Sequence, residues 1–178
     1  MKLLTLTLTT LLLLTSIHAY SNEKMLCLVN KERSQRGLPP MGMDSHLTAA
    51  AQEHSNDQAR RRSMTHNGSN GSSPGDRCER YGFNWHAVAE NVAYGYKDET
   101  TCMHEWMESP GHRANILGNY DMFGSAVAYS GRTPYYTQDF GSDSRGRRNV
   151  PRCGGGYAPK KTVYRKKVQP KRRVRYHH

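Results

Sequence analysis

Trp106-Met107-Glu108-Ser109-Pro110-Gly111-His112-Arg113-Ala114-Asn115-Ile116-Leu117 is the stretch from which the rest of the chain is best read. Ser109 followed by Pro110 is a helix start, a capping hydroxyl before a proline whose missing N–H costs nothing at the first helical position. A helix is therefore expected from Ser109 through Ile116-Leu117. Immediately upstream, Thr100 to Met107 reads as a separate helix, so the two are split at Ser109.

Outward from this break the pattern changes on both sides. Downstream, Gly124 to Tyr129 and Pro134 to Phe140 read as two strands, joined by the hairpin signal Ser130-Gly131-Arg132-Thr133. Upstream, Val88 to Tyr94 alternates enough for a third strand. Ahead of it lie a short helix, Gly75 to Tyr81, and a Gly-, Ser- and Asn-rich shaped loop from Met64 to Asp76. Asp44 caps a helix from Ser45 to Arg62 in which Leu47, Ala50, Ala51, His54 and Ala59 recur at helical intervals. Its end, Arg60-Arg61-Arg62, suits the negative pole of a helix. Asn22 to Arg36 forms the first helix, stopped by Gly37-Leu38-Pro39-Pro40. Helices first and an antiparallel pair last imply a layered α+β fold.

The chain has 178 residues and a formal charge of +11, but that charge is not spread evenly. Half of the 26 lysines and arginines, and none of the 15 acidic residues, lie beyond residue 143. The body is slightly acidic, and any attraction to polyanions must rest on residues 144–178, a basic tail with too few aliphatics to build a second core and expected to be disordered. Its dibasic pairs, such as Arg147-Arg148 and Lys160-Lys161, are also candidate processing sites. Residues 1–19 carry Lys2, an apolar run from Leu3 to Leu14 and a small residue, Ala19, which is the pattern of a secretory signal peptide. The run is short of the roughly 20 residues needed to span a bilayer.

Cys27, Cys78, Cys102 and Cys153 are an even set in a secreted chain, so two disulfides are expected, with three pairings open. No CxxC pair suggests a zinc ribbon or a thiol redox site. Asn67-Gly68-Ser69 and Asn70-Gly71-Ser72 are N-glycosylation sequons.

Met64-x-His66-x-Gly68, Ala89-Glu90-Asn91-Val92-Ala93 and the opening stretch together resemble the CAP superfamily of cysteine-rich secretory, antigen 5 and pathogenesis-related proteins. The likeness extends through Val29-Asn30-x-x-Arg33 and Tyr136-Thr137-Gln138-Asp139-Phe140-Gly141, so it covers residues 25–143, and it is nearest to the shorter branch common in bacteria. The resemblance implies an α-β-α sandwich with a central antiparallel sheet of three to four strands. It also implies a cleft tetrad of two histidines and two glutamates, carried over here to His66, Glu90 and His112, with Glu108 as the fourth member and Glu105 as its competitor. Such an N/O set suits reversible Zn²⁺. The alternative is that the histidines are buried polar groups hydrogen-bonded to Glu90.

Other candidates are weaker. His104-Glu105-x-x-Glu108 is only half of a zincin box, no Gly-x-Ser-x-Gly elbow supports a catalytic serine, and His54 occupies a position where the helix stripe expects a core residue. Three functions follow as expectations. The resemblance implies a secreted, non-enzymatic binding protein for a sterol or other small lipid. A metal-dependent hydrolase with Glu90 or Glu108 as base is the enzymatic alternative. The tail suits a cell-wall polyanion or an anionic membrane surface, nucleic acid not being expected of a secreted chain.

Overall fold

The computed structural model of the protein describes residues 20–154 and, as backbone, 173–176. Ser21 starts helix α1, Asn22–Ser34, by accepting the Lys24 N–H. Asp44 starts α2, Ser45–Arg61, by accepting from His46 and Leu47, and Arg62 closes it in the left-handed conformation. Helix α3, Pro74–Arg80, has a full capping box between Ser73 and Asp76. Helices α4, Glu99–Glu108, and α5, Pro110–Ile116, meet at Ser109 as the sequence predicts.

The sheet is five-stranded in the order β1-β3-β4-β2-β5. Strands β2 (Trp85–Tyr94), β3 (Met122–Ser130) and β4 (Thr133–Asp143) form the expected antiparallel centre. Two short parallel edges, which the sequence did not reveal, complete it: β1, Gly42–Met43, along β3, and β5, Arg173–Tyr176, along β2.

Alternation along β2 divides the interior in two, because successive side chains point to opposite faces of a sheet. Ala89 and Ala93 join Met25, Leu26, Val29, Met103, Trp106 and Ile116 in the layer of α1, α4 and α5. Val88 joins Leu47, Ala50, Cys78 and Phe83 in the layer of α2 and α3. The result is the α-β-α sandwich. Gly124 allows α2 to lie directly on β3, since a Cβ there would overlap the backbone of Leu47 and Thr48. The Val29-Asn30-x-x-Arg33 motif is structural. Asn30 exchanges two hydrogen bonds with the Met41 backbone, and Arg33 donates to the carbonyls of Pro39, Ile116 and Gly118, each at 2.8 Å, tying α1 to the end of α5.

Two expectations need correction. Among the described residues there is one disulfide, Cys27–Cys153, while Cys78 and Cys102 are buried thiols. They belong to different hydrophobic layers, which is why they do not pair. The tail also begins later than composition suggests. Arg145 and Arg148 bind Asp143, Arg148 reaches Asp44, Arg147 binds Asp121 at 2.8 Å, and Cys153 anchors the segment to α1. Its positive charges are answered by acids of the body, so 144–154 belongs to the domain. The signal-peptide residues 1–19 and the tail residues 155–172 lie outside the described residues.

Candidate functional site

The Met64–Ser73 loop is held at both ends by charged groups. Asp57 of α2 accepts from the Ser69 backbone at 2.7 Å and from its hydroxyl at 2.6 Å. Arg77 of α3 donates to the carbonyls of Ser72 at 2.9 Å and His66 at 3.1 Å. The loop thereby delivers His66 to the α2–α3 face of β2, where Glu90 points. The His66 Nδ1 is 2.7 Å from Glu90 Oε1, and Arg77 Nη2 donates to Glu90 Oε2 at 2.6 Å. His54 of α2 completes the group with its Nε2 at 3.7 Å from Glu90 Oε1 and 2.5 Å from the Thr65 carbonyl. Asp139 stands opposite Glu90 in the β2–β4 register.

These five side chains are almost wholly buried, His66 being the most open at 4%. Burial works to raise the Glu90 pKa, but the Arg77 charge and the His66 hydrogen bond outweigh it and hold the carboxyl below its ordinary range. Asp139 goes the other way. Burial first, and the neighbouring Glu90 charge second, push it well above the usual carboxylate value, so it is the protonated member of the pair. Burial also lowers the His54 pKa and keeps that ring neutral.

The structure joins His66 and Glu90 and separates the other two expected members. Asn91, the neighbour of Glu90, faces the opposite layer, where its amide donates to the His112 backbone carbonyl at 3.3 Å. The His112 ring lies against Trp106 in that layer, with ring centroids 6.4 Å apart. Glu108 and Glu105 are both exposed on α4. Among the described residues no three His, Cys, Asp or Glu side chains are grouped to hold a metal ion. The donor chemistry points the same way, because both Glu90 oxygens are committed and one of their partners is a buried guanidinium. A divalent cation beside Arg77 would meet like charge at short range. The residues present do not fit a metal.

Sequence reasoning missed Arg77, Asp139 and the part played by His54. A signal existed for Arg77: it shares an i, i+3, i+4 stripe with Pro74 and Cys78, all buried. Ser69, one of the serines near His66, donates its hydroxyl to Asp57 and is not paired with the imidazole.

Beside this cluster a cleft of about 430 Å³ opens between α2, the Gly68–Asn70 turn and α3. His54 and Arg77 line it, together with polar groups such as Gln52, Asn56 and Asn70, and Tyr81 stands half-exposed. The cleft is open, whereas the Glu90 carboxylate is closed off behind its partners.

A three-layer sandwich with a loop-borne histidine bound to a β2 glutamate defines an SCP-type domain. The Cysteine-rich secretory protein family, CAP, matches residues 26–140, and the chain belongs to that family. It is 33% identical over 126 residues to the uncharacterized protein YkwD of Bacillus subtilis, covering 70% of this chain and 48% of that protein. The chain thus spans about half the length of this relative. Among solved structures, an extracellular SCP-domain protein from Bacillus anthracis superposes with a TM-score of 0.63 at 27% identity, covering 68% of this chain and 40% of that one. An outer surface protein of Borrelia burgdorferi shares the fold with a TM-score of 0.62 at 21% identity, over 67% of this chain and 90% of that one. No helix of the described residues is long and apolar enough to cross a membrane.

Proposed function

We propose that this chain is an extracellular, non-enzymatic binding module, in which the Arg77–Glu90–His66 cluster is a rigid floor and the ligand occupies the adjoining cleft. The observation that carries this reading is the enclosure of Glu90. Bound to His66 through Oε1 and to Arg77 through Oε2, and 0% exposed, the carboxylate presents no surface to a substrate or a water from which it could take a proton. A general base must reach the group it deprotonates, and this one is enclosed by its own partners. The extracellular setting rests on the leader-like N-terminus together with the extracellular and outer-surface character of the structural relatives. The small-lipid ligand implied by the family resemblance draws no support from the cleft, whose lining is rich in amides and charged groups.

Assaying the secreted chain against ester, peptide and glycoside panels tests this, in parallel with radiolabelled sterol uptake. No turnover above that of Glu90→Gln is expected, and no saturable sterol uptake. A hydrolytic activity abolished by Glu90→Gln would refute the binding reading, and saturable sterol uptake would return the ligand to the lipid class.

A second reading is favoured by the charge distribution. Arg145, Arg147 and Arg148 are neutralised within the body, yet ten lysines and arginines and no acids remain from Arg152 onward. We propose that this segment binds extracellular polyanions through salt-sensitive contacts. Deleting residues 155–178 should abolish retention on heparin at low salt, and unchanged retention would dismiss the segment as a ligand site.

A further inference from the structure

Helix α2 closes on Arg60-Arg61-Arg62, and the three arginines are held differently. Arg60 and Arg61 both bind the Asp57 carboxylate. Arg62 ends the helix at φ 53° and ψ 40°, the left-handed conformation that glycine adopts most readily at this position. What an arginine adds there is its side chain. Its Nε donates to the Ser130 hydroxyl at 3.2 Å, while among the described residues its two terminal nitrogens meet neither an acceptor nor a carboxylate. Arg62 is exposed, so the guanidinium is fixed at its base and open at its fork. Beside it a hollow of about 500 Å³ opens, lined by Asn56, Arg60 and Arg62 from α2 and its cap and by residues 128–131 from the β3–β4 hairpin. Among the described residues no Asp or Glu lines it. Asn56 accepts from Gln52 through Oδ1 at 3.0 Å, which leaves its amide N–H groups as donors.

We infer that this hollow is a second ligand site on the body, which takes the carboxylate or sulfate group of an acidic oligosaccharide, with Arg62 as the anion-binding residue. It is distinct from the cleft assigned above and shares only Asn56 and Arg60 with it. A guanidinium with both terminal nitrogens free makes two parallel bonds to a carboxylate or sulfate, a geometry that a lysine cannot offer. Holding its Nε on Ser130 removes part of the ordering cost of binding. A cation would meet the Arg62 charge with no acid in the lining to offset it, and a neutral ligand would leave the fork unused. The saccharide half of the assignment comes from the sheet. Ala128, in the lining, pairs with Tyr135, and Tyr135 pairs with Tyr94, so the three form one row across β3, β4 and β2. That row lies on the α2 side of the sheet, because Ala128 shares a face of β3 with Gly124, on which α2 rests. Tyr94 ends the row 54% exposed, its ring stacked on the buried Tyr135 at 5.7 Å and 18°. One face of the Tyr94 ring is thus taken, and the other is free for the apolar face of a sugar. Two strand spacings separate Tyr94 from Ala128, about 10 Å, a distance that a chain of a few sugars spans.

The test is an NMR titration of the full isotope-labelled chain with three probes. Tetragalacturonate supplies carboxylates, a carrageenan tetrasaccharide supplies sulfates alone, and maltotetraose is neutral. Saturable shifts at Arg62 and residues 128–131 are expected from at least one acidic sugar, with a Kd on the order of 1 mM or tighter, and the tighter of the two identifies the anion. Arg62→Gly relaxes the left-handed backbone, so it should weaken binding at least about tenfold without lowering Tm, a combination that a purely structural arginine would not give. Tyr94→Thr, which keeps a strand-forming residue at the end of β2, should weaken binding severalfold. Absence of saturable shifts from both acidic sugars, equal affinity for maltotetraose, or wild-type affinity in Arg62→Gly would overturn the inference. Shifts confined to residues 155–178 would also overturn it and leave the basic segment as the polyanion site. Wild-type affinity in Tyr94→Thr would overturn the saccharide assignment.

Discussion

The Arg77 guanidinium stands 2.6 Å from the Glu90 carboxylate, with side chains 1% and 0% exposed. A buried pair of this kind is costly to break, because the surviving charge keeps its desolvation without its partner. Arg77→Met is expected to lower the unfolding free energy by roughly 3–5 kcal/mol in urea titrations, and Glu90→Gln by a similar amount. The double variant should cost clearly less than the sum of the two singles, because it leaves neither charge stranded. Additive costs would show that the two groups do not act as a pair.

Stability should fall with acid in a window set by His54. Its folded pKa lies below the ordinary 6.5, so the native state resists protonation. Its contribution is present above 6.5 and lost as the pH falls through the folded value. Glu90, lowered from 4.5, acts in the same direction at more acid pH. Asp139, raised above 3.8, acts in the opposite sense and loses stability as the pH rises through its folded value. Thermal melts from pH 7 down to 4 should show a falling Tm, with the upper part of the fall flattened in His54→Phe. Parallel profiles for the two proteins would assign the acid sensitivity elsewhere.

Zn²⁺ titrated into the protein should give the same heats for the wild type and for His66→Ala, since Arg77 already occupies the electrostatic position a cation would need. A saturable isotherm that disappears in His66→Ala would show that Arg77 yields its place to the metal.

The Cys27–Cys153 bridge closes a sequence separation of 126 residues. On loop-entropy grounds, removing it by Cys27→Ser should cost about 4–5 kcal/mol. Reduction of the wild type should reproduce the loss. Cys78→Ala and Cys102→Ala, which remove buried thiols from opposite layers, should leave the non-reducing electrophoretic mobility unchanged, while Cys27→Ser should retard it.

Packing at Gly124 supplies a further structural check. Gly124→Ala forces α2 away from β3, with an expected cost of roughly 1–3 kcal/mol measured in the same urea titrations. A neutral outcome would mean that the helix shifts freely over the sheet.

The layered fold was legible where local chemistry decides it. Asp44 marks a helix start by capping, Pro110 marks another by its place at the first helical position although the Ser109 hydroxyl makes no capping hydrogen bond, and Ser130-Gly131-Arg132-Thr133 marks the hairpin, all three found where the sequence places them. Edges β1 and β5 were not legible, because a two-residue strand has no period and a parallel partner is chosen by distant parts of the chain. The same limit applies to the site. His66 and Glu90 were found through motifs, yet the alternation of β2, which sends Glu90 to one layer and Asn91 to the other, decides which histidine can reach the carboxylate. His54 supplies the second imidazole from a position the helical stripe reserves for the core, and Arg77 supplies the cation from the buried stripe of a seven-residue helix too short for its period to stand out in the sequence.

The bond between Cys27 and Cys153 also makes residues 27–153 a covalent ring, which the basic segment beyond Cys153 rejoins only through the pairing of β5 with β2. A single cut in any surface loop of such a ring leaves one molecule, still joined through the sulfurs. Cleavage beyond Cys153, at Lys160-Lys161, severs the covalent link to β5 without opening the ring and leaves that strand held by its pairing with β2 alone. Where proteases abound, the module and its appendage can therefore have separate lifetimes.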